Sequence, residues 1–154
     1  MEERIKILAR CELFSTLPRK GLEMAASRCV PGEAKKGESV VVEGKPADGL
    51  YVVVRGKVDY IKKVEEKRGL VLFRWGPGDV FALNAVMDGK EHYVSAVAAT
   101  PVKFLRLAAA DLRAVCAADP LYEHRILRQT LLIESNRLRQ ITVRLREFLA
   151  KIIK

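Results

Sequence analysis

From residue 37 to residue 107 the apolar residues fall in short runs, each closed by Gly or Pro. Strands are predicted at Ser39–Glu43, Gly49–Val54, Lys57–Val64, Leu70–Trp75, Asp79–Phe81, Val94–Thr100 and Val102–Leu107. The punctuation lies at Gly32, Gly44–Pro46, Gly56, Gly69, Gly76–Gly78 and Pro101. Many short strands with regular turn signals predict a β-sandwich or barrel rather than a parallel α/β sheet. On both sides the period changes to that of helices. Residues 2–10 and 19–29 read as two short helices around the turn Leu13–Pro18, and Ala108–Ala118 as a third. Asp119–Pro120 opens a fourth, with proline pre-set for a first helical turn.

The last helix meets no Gly or Pro through Lys154. At 1.5 Å per residue it would run roughly 50 Å, and beyond Leu138 it is expected to outrun so small a domain. Its apolar residues Leu127, Leu131, Leu138, Ile141, Leu145, Phe148 and Ile152 step by four and three once Glu134 is counted as an interruption. That is a heptad seam, and such seams pair with another helix. Leu131, Leu138, Ile141, Leu145, Phe148 and Ile152 are therefore the expected homodimer interface. The chain divides into 1–120, a β-domain with N-terminal helices, and 121–154, the dimerisation helix.

The chain has 154 residues, 49% apolar and 31% charged, which suits one globular domain with a real core. No apolar run approaches the roughly 18 residues of a membrane helix, and no signal-peptide pattern opens the chain. A cytoplasmic protein that makes no membrane contact is expected. Cys11, Cys29 and Cys116 form no CxxC, and His92 and His124 are the only histidines. Neither a disulfide framework nor a metal site is predicted. Ser39, Ser95 and Ser135 lack a nearby histidine–acid pairing, so no catalytic residue and no enzymatic activity are expected. The formal charge is +9, and residues 120–154 hold eight Arg and Lys against three Glu. A basic helix can meet nucleic acid, but no aromatic residues interleave with these arginines, and a solvated face is the plainer reading.

Three stretches bear a family likeness. CELFSTLP (Cys11–Pro18) is similar to an opening xxLFxxLP turn. GESVVVEGKPADGLYVVVRGKV (Gly37–Val58) matches GxxIxxEGxxxDxxYxVxxGxV at the same spacing. GPGDVFALNAVMDGKEHYVSAVA (76–98) resembles a phosphate-binding cassette of the form GxxFGELAL followed by PRxAxVxA. From Leu8 onward the chain thus resembles the cyclic nucleotide-binding domain family. The resemblance implies a double-stranded β-helix or jelly roll (β-roll), mainly β, with N-terminal helices and a long C-terminal helix through which the family's transcription factors dimerise. Those proteins continue into a further DNA-binding segment. Nothing follows Lys154 here, so this polypeptide is expected to carry no effector domain of its own.

Alignment on Phe81 sets Ala82 at the family's Gly and Leu83 at its ribose-binding Glu, with Asn84 and Ala85 on the next pair. His92 falls where the phosphate-binding Arg belongs, followed by Tyr93 and Val94. By the resemblance, Phe81, Ala82, Leu83, Asn84, Ala85, His92, Tyr93 and Val94 are the candidate ligand-binding residues. Leu83 cannot accept a hydrogen bond from a hydroxyl, and His92 carries a full charge only below its pKa, about 6.5 when unperturbed. Each lost charge-assisted bond costs on the order of 1.5–3 kcal/mol. Together they would lower affinity for cAMP or cGMP by some two to four orders of magnitude. Leu83, Val86, Met87, Tyr93 and Val94 could line a pocket for a less polar ligand, or could fill it.

The expectation is a non-enzymatic regulatory or sensor module that needs no cofactor and does not hold cAMP or cGMP in the family's usual way. It would use an unidentified small ligand or a protein partner. Two alternatives stand beside it: a cyclic nucleotide-binding regulatory subunit with an atypical pocket, and a nucleic-acid-binding protein using the basic final helix.

Overall fold

The structure, a computed structural model, describes residues 1–153. Two helices open the chain, α1 (Glu2–Arg10) and α2 (Arg19–Arg28). Glu2 and Glu3 in the first turn of α1 and Arg10 in its last complement the helix dipole. The turn between them is anchored in the core, where Cys11, Leu13, Phe14 and Leu17 are buried. There burial pushes the Cys11 thiol up to about 12, the state of an inert, space-filling cysteine.

Eight strands follow in two antiparallel sheets. One carries the order β1 (Val30–Ala34), β8 (Val102–Ala108), β3 (Gly49–Arg55), β6 (Val80–Phe81). The other runs β2 (Ser39–Val41), β7 (Ser95–Ala98), β4 (Val58–Glu65), β5 (Arg68–Trp75). This is the expected β-roll. One strand differs from expectation: Val30–Ala34 pairs with β8 from Val30↔Arg106 to Ala34↔Val102, where Gly32 alone had suggested a turn. Gly32 stands in a strand because a Cβ there would lie 2.5 Å from the Phe104 ring, so the ring needs the missing side chain.

The sheet that contains β3 is buried on both faces. In β3, Tyr51 and Val53 point into the roll and Leu50 and Val52 point out to the helices, the period-two alternation of a strand covered on both sides. The outward set packs with α1, α2, α4 (Ala109–Ala118) and the first half of α5 (Pro120–Ile153). The inward set joins Tyr60, Phe73, Trp75, Phe81, Val94 and Ala96 in a largely aromatic interior. Gly56 makes the β3–β4 turn at φ +90°, and a Cβ there would sit 2.2 Å from the Pro101 carbonyl oxygen.

α5 does not clear the roll at Leu138. Tyr122, Ile126, Ile133 and Arg137 are buried, Ile141 packs on the roll interior, and Arg144 donates to the Leu72 carbonyl. The β4–β5 hairpin reaches along the helix, so the roll offers about two more turns of contact than the domain's size suggested. No helix among the described residues is long and apolar enough to cross a membrane.

Candidate functional site

β6 ends at Phe81, and the chain turns through Ala82 into the short helix α3 (Leu83–Asp88). Ala82 makes this corner in the left-handed region, φ +63°, and no other described non-glycine residue has positive φ. An alanine there costs on the order of 1 kcal/mol against the glycine that would suit it. The corner is held from the roll interior, where the Ala82 N–H donates to the Tyr60 hydroxyl at 2.5 Å. Burial raises the Tyr60 phenol above its ordinary pKa, so it stays protonated.

Between this corner, the ends of β4 and β5, and α5 lies a cavity of about 290 Å³. The roll contributes Tyr60, Leu72, Phe73, Asn84, Tyr93 and Val94, and the helix contributes Glu134, Arg137, Leu138 and Ile141. The size is at the lower end for small-molecule sites. A larger open depression, about 710 Å³, lies at the other end of the roll among Glu33, Lys35, Glu38, Arg55 and Lys103. It holds none of the candidate residues and is bordered by exposed charges of both signs.

Arg137 dominates the cavity's electrostatics. It is 7% exposed, and its guanidinium lies 4.3 Å over the Trp75 ring. It donates to the Val80 carbonyl and to Glu134 at 3.2 Å, and it pairs with Glu12 at 3.6 Å. Burial raises the Glu12 carboxyl, and the charge of Arg137 pulls it back down. Trp75 stacks on Phe73 at 4.7 Å and meets Tyr60 edge-on at 5.4 Å, so the two rings buttress the indole that lies beneath the guanidinium. The Trp75 indole nitrogen is buried without a hydrogen-bond partner, and a guanidinium, having donors only, cannot supply one.

The eight candidate ligand residues divide. Asn84, Tyr93 and Val94 line the cavity. Phe81 is fully buried in the roll interior, stacked on Tyr51 at 4.9 Å, and Ala82 forms the corner. Ala85 is buried. Leu83 is fully buried on the opposite side, in the cluster between sheet and helices, and Val86 and Met87 pack beside it. His92 shares the inward parity of Val94, Ala96 and Ala98 and is buried, but it borders a separate shallow depression with Glu43, Gly44 and Lys62. Its main chain closes that end of the roll: its carbonyl accepts from Gly44 N–H at 2.7 Å, and its N–H donates to the Lys45 carbonyl at 3.0 Å. Burial pushes the His92 pKa below its ordinary value, against a smaller opposing pull from Asp48.

Of the expected interface, Leu131, Leu138, Leu145, Phe148 and Ile152 are exposed, whereas Ile141 is half-buried against the roll. Tyr60, Phe73, Trp75 and Arg137 were not among the sequence candidates. The pairing of Tyr60 with Phe73 and of Val58 with Trp75 across the β4–β5 hairpin is the local pattern that points to the rings.

Residues 31–119 match the model of the cyclic nucleotide-binding domain, and the chain belongs to that family. It is 28% identical over 123 residues to a CRP-like cAMP-activated global transcriptional regulator of Mycobacterium tuberculosis, covering 80% of this chain and 55% of the relative. To the cyclic AMP receptor protein of Thermus thermophilus it is 27% identical over 114 residues, 74% of this chain and 53% of the relative. The chain thus spans about half the length of these curated relatives. A solved cyclic nucleotide-binding domain from Methylobacillus flagellatus superposes with a TM-score of 0.80 at 24% identity, over 93% of this chain and 80% of that one. At that identity the superposition establishes the fold.

Proposed function

We propose that this domain is a non-enzymatic regulatory module that does not hold cAMP or cGMP through the family's charged contacts, and that passes its state to a second copy through α5. The observation that carries the first half is the placement of Leu83 and His92. Neither side chain brings a charge to the cavity: Leu83 faces the helical core, and His92 sits in the roll wall with its neutral form favoured. The Ala82 N–H, a backbone donor at the cassette corner, is already engaged by Tyr60. What remains is a mainly apolar and aromatic lining whose charges, Arg137 and Glu134, are paired with each other, a setting suited to a small ligand of low polarity.

The second half rests on the exposed stripe Leu131, Leu138, Leu145 and Ile152, spaced by seven residues along α5. It flanks the line that packs on the roll, with Leu138 at the rim of the cavity, and a second copy of the same helix would cover it. One observation favours the alternative, a cyclic nucleotide-binding subunit with an atypical pocket: the left-handed corner and the short helix after it are retained although alanine replaces glycine. Isothermal calorimetry with cAMP and cGMP decides between the two. Dissociation constants weaker than about 100 µM at pH 7.5 fit the first reading, and micromolar constants fit the second.

A further inference from the structure

The buried guanidinium of Arg137 has a function that solvation of a helix face does not explain. An arginine is always charged, and burying it is costly unless its donors and its charge are both answered. Here they are answered closely. An indole face lies 4.3 Å beneath it, Glu134 accepts at 3.2 Å, Glu12 stands at 3.6 Å, and the Val80 carbonyl next to Phe81 accepts as well. Two carboxylates, a carbonyl and an aromatic face are the environment that a free planar cation would need.

The same contacts seat the helix. Gln129, two turns earlier on α5, donates to the Glu12 carbonyl at 2.8 Å. Seven residues after Arg137, Arg144 reaches the Leu72 carbonyl and lies 5.7 Å over Phe73. Ile126, Ile133, Arg137 and Arg144 therefore form one line, apolar at its start and cationic at its end, along which α5 lies on the roll. All of these partners belong to the one chain, so the seat requires no second molecule.

We propose that Arg137 is a built-in occupant of a cation site over the Trp75 indole: its guanidinium fills a site for a planar amidinium or guanidinium cation and thereby holds α5 on the roll. This goes beyond the reading of the cavity given above and does not depend on which small ligand, if any, enters beside it. Removing the side chain would leave Glu12, Glu134 and the Val80 carbonyl around an open Trp75 face, a site for an external cation of that class.

The test compares the wild-type domain with Arg137→Ala and Arg137→Lys, using methylguanidinium chloride at low millimolar concentration as the probe and methylammonium chloride as the control. Arg137→Ala is expected to melt on the order of 10 °C lower, as removal of one partner from a buried ion pair does. Methylguanidinium at ten times its dissociation constant should restore roughly 3–6 °C. Methylammonium should not, and the wild type should not respond to either. Hydrogen exchange of residues 134–146 should quicken at least tenfold in Arg137→Ala. Should that variant not fold, Arg137→Lys keeps the charge without the planar fork, and the same amides should exchange several-fold faster than in the wild type. Absence of rescue in a folded Arg137→Ala, an equal rise in the wild type, or unchanged exchange in the variants would overturn the assignment.

Discussion

Tyr60 and Ala82 form the hinge-point of the site: the phenol oxygen accepts the backbone N–H of the one described non-glycine residue in the left-handed region. A strained corner persists only where its surroundings over-determine it, and this hydrogen bond, with burial of Ala82 on both sides, does so. Tyr60→Phe keeps the ring and removes the acceptor, leaving a buried N–H unpaired. The expected loss is about 1–3 kcal/mol, seen as a melting temperature lower by roughly 2–12 °C. A melt unchanged within a degree would show that the corner holds without the phenol.

Leu83 fixes what a repair of the cassette can achieve. It is fully buried among Leu50, Val52, Val80 and the helices, so Leu83→Glu would place a carboxylate in apolar core. The expected result is destabilisation of several kcal/mol with no gain in cAMP affinity, even when combined with His92→Arg. Urea unfolding of the single variant and calorimetry of the pair check the two parts. Micromolar cAMP binding by a stable double variant would show that Leu83 turns toward the cavity after all.

His92 gives the pH dependence. Its folded pKa lies below its unfolded value because of burial, so the unfolded chain binds the proton more readily. Stability is fully present above the unfolded pKa, about 6.5, and falls as pH drops through it toward the folded pKa. The His92 ring protons should titrate with a midpoint below 6.5 by NMR. His92→Gln should flatten the fall in melting temperature between pH 7 and pH 5. A midpoint above 6.5 would mean that the ring has found an anionic partner.

For the α5 stripe, Leu138→Asp together with Leu145→Asp should leave the fold intact, because both side chains are exposed in the single chain. The pair should turn a dimer into a monomer in sedimentation velocity, since a carboxylate buried at a helix seam costs several kcal/mol. Ile141→Asp should instead lower the melting temperature, because Ile141 packs on the roll. A wild-type protein that is already monomeric at tens of micromolar would remove the dimer from the account.

Much of this architecture was legible in the chain. Short apolar runs broken at Gly44, Gly56 and Gly76–Gly78 indicate a sandwich or barrel, the family resemblance selects the β-roll, and the uninterrupted stretch after Pro120 gives α5. What escaped is orientation. Heptad counting groups Leu138, Ile141 and Leu145 in one seam, but it cannot say that the roll claims Ile141 and leaves the other two exposed. Arg137 reads as one basic residue among eight because a period built on apolar residues skips it. Its place seven residues before Arg144 and four after Ile133 is visible only once Ile126 and Ile133 are known to face the roll. Alignment on Phe81 sets Leu83 at the cassette's Glu position, but a two-residue strand such as Val80–Phe81 offers too little alternation to say which side the next residue takes.

The central claim is that the cavity between the roll and α5 lacks the family's charged cassette contacts, because Leu83 and His92 stand at those positions and the one guanidinium in the lining, Arg137, is engaged by Glu134, Glu12 and the Val80 carbonyl. Calorimetric titration of cAMP into the wild-type domain at pH 7.5 tests it most directly. The account expects no saturable binding tighter than about 100 µM, whereas a one-site isotherm with a micromolar dissociation constant would contradict it.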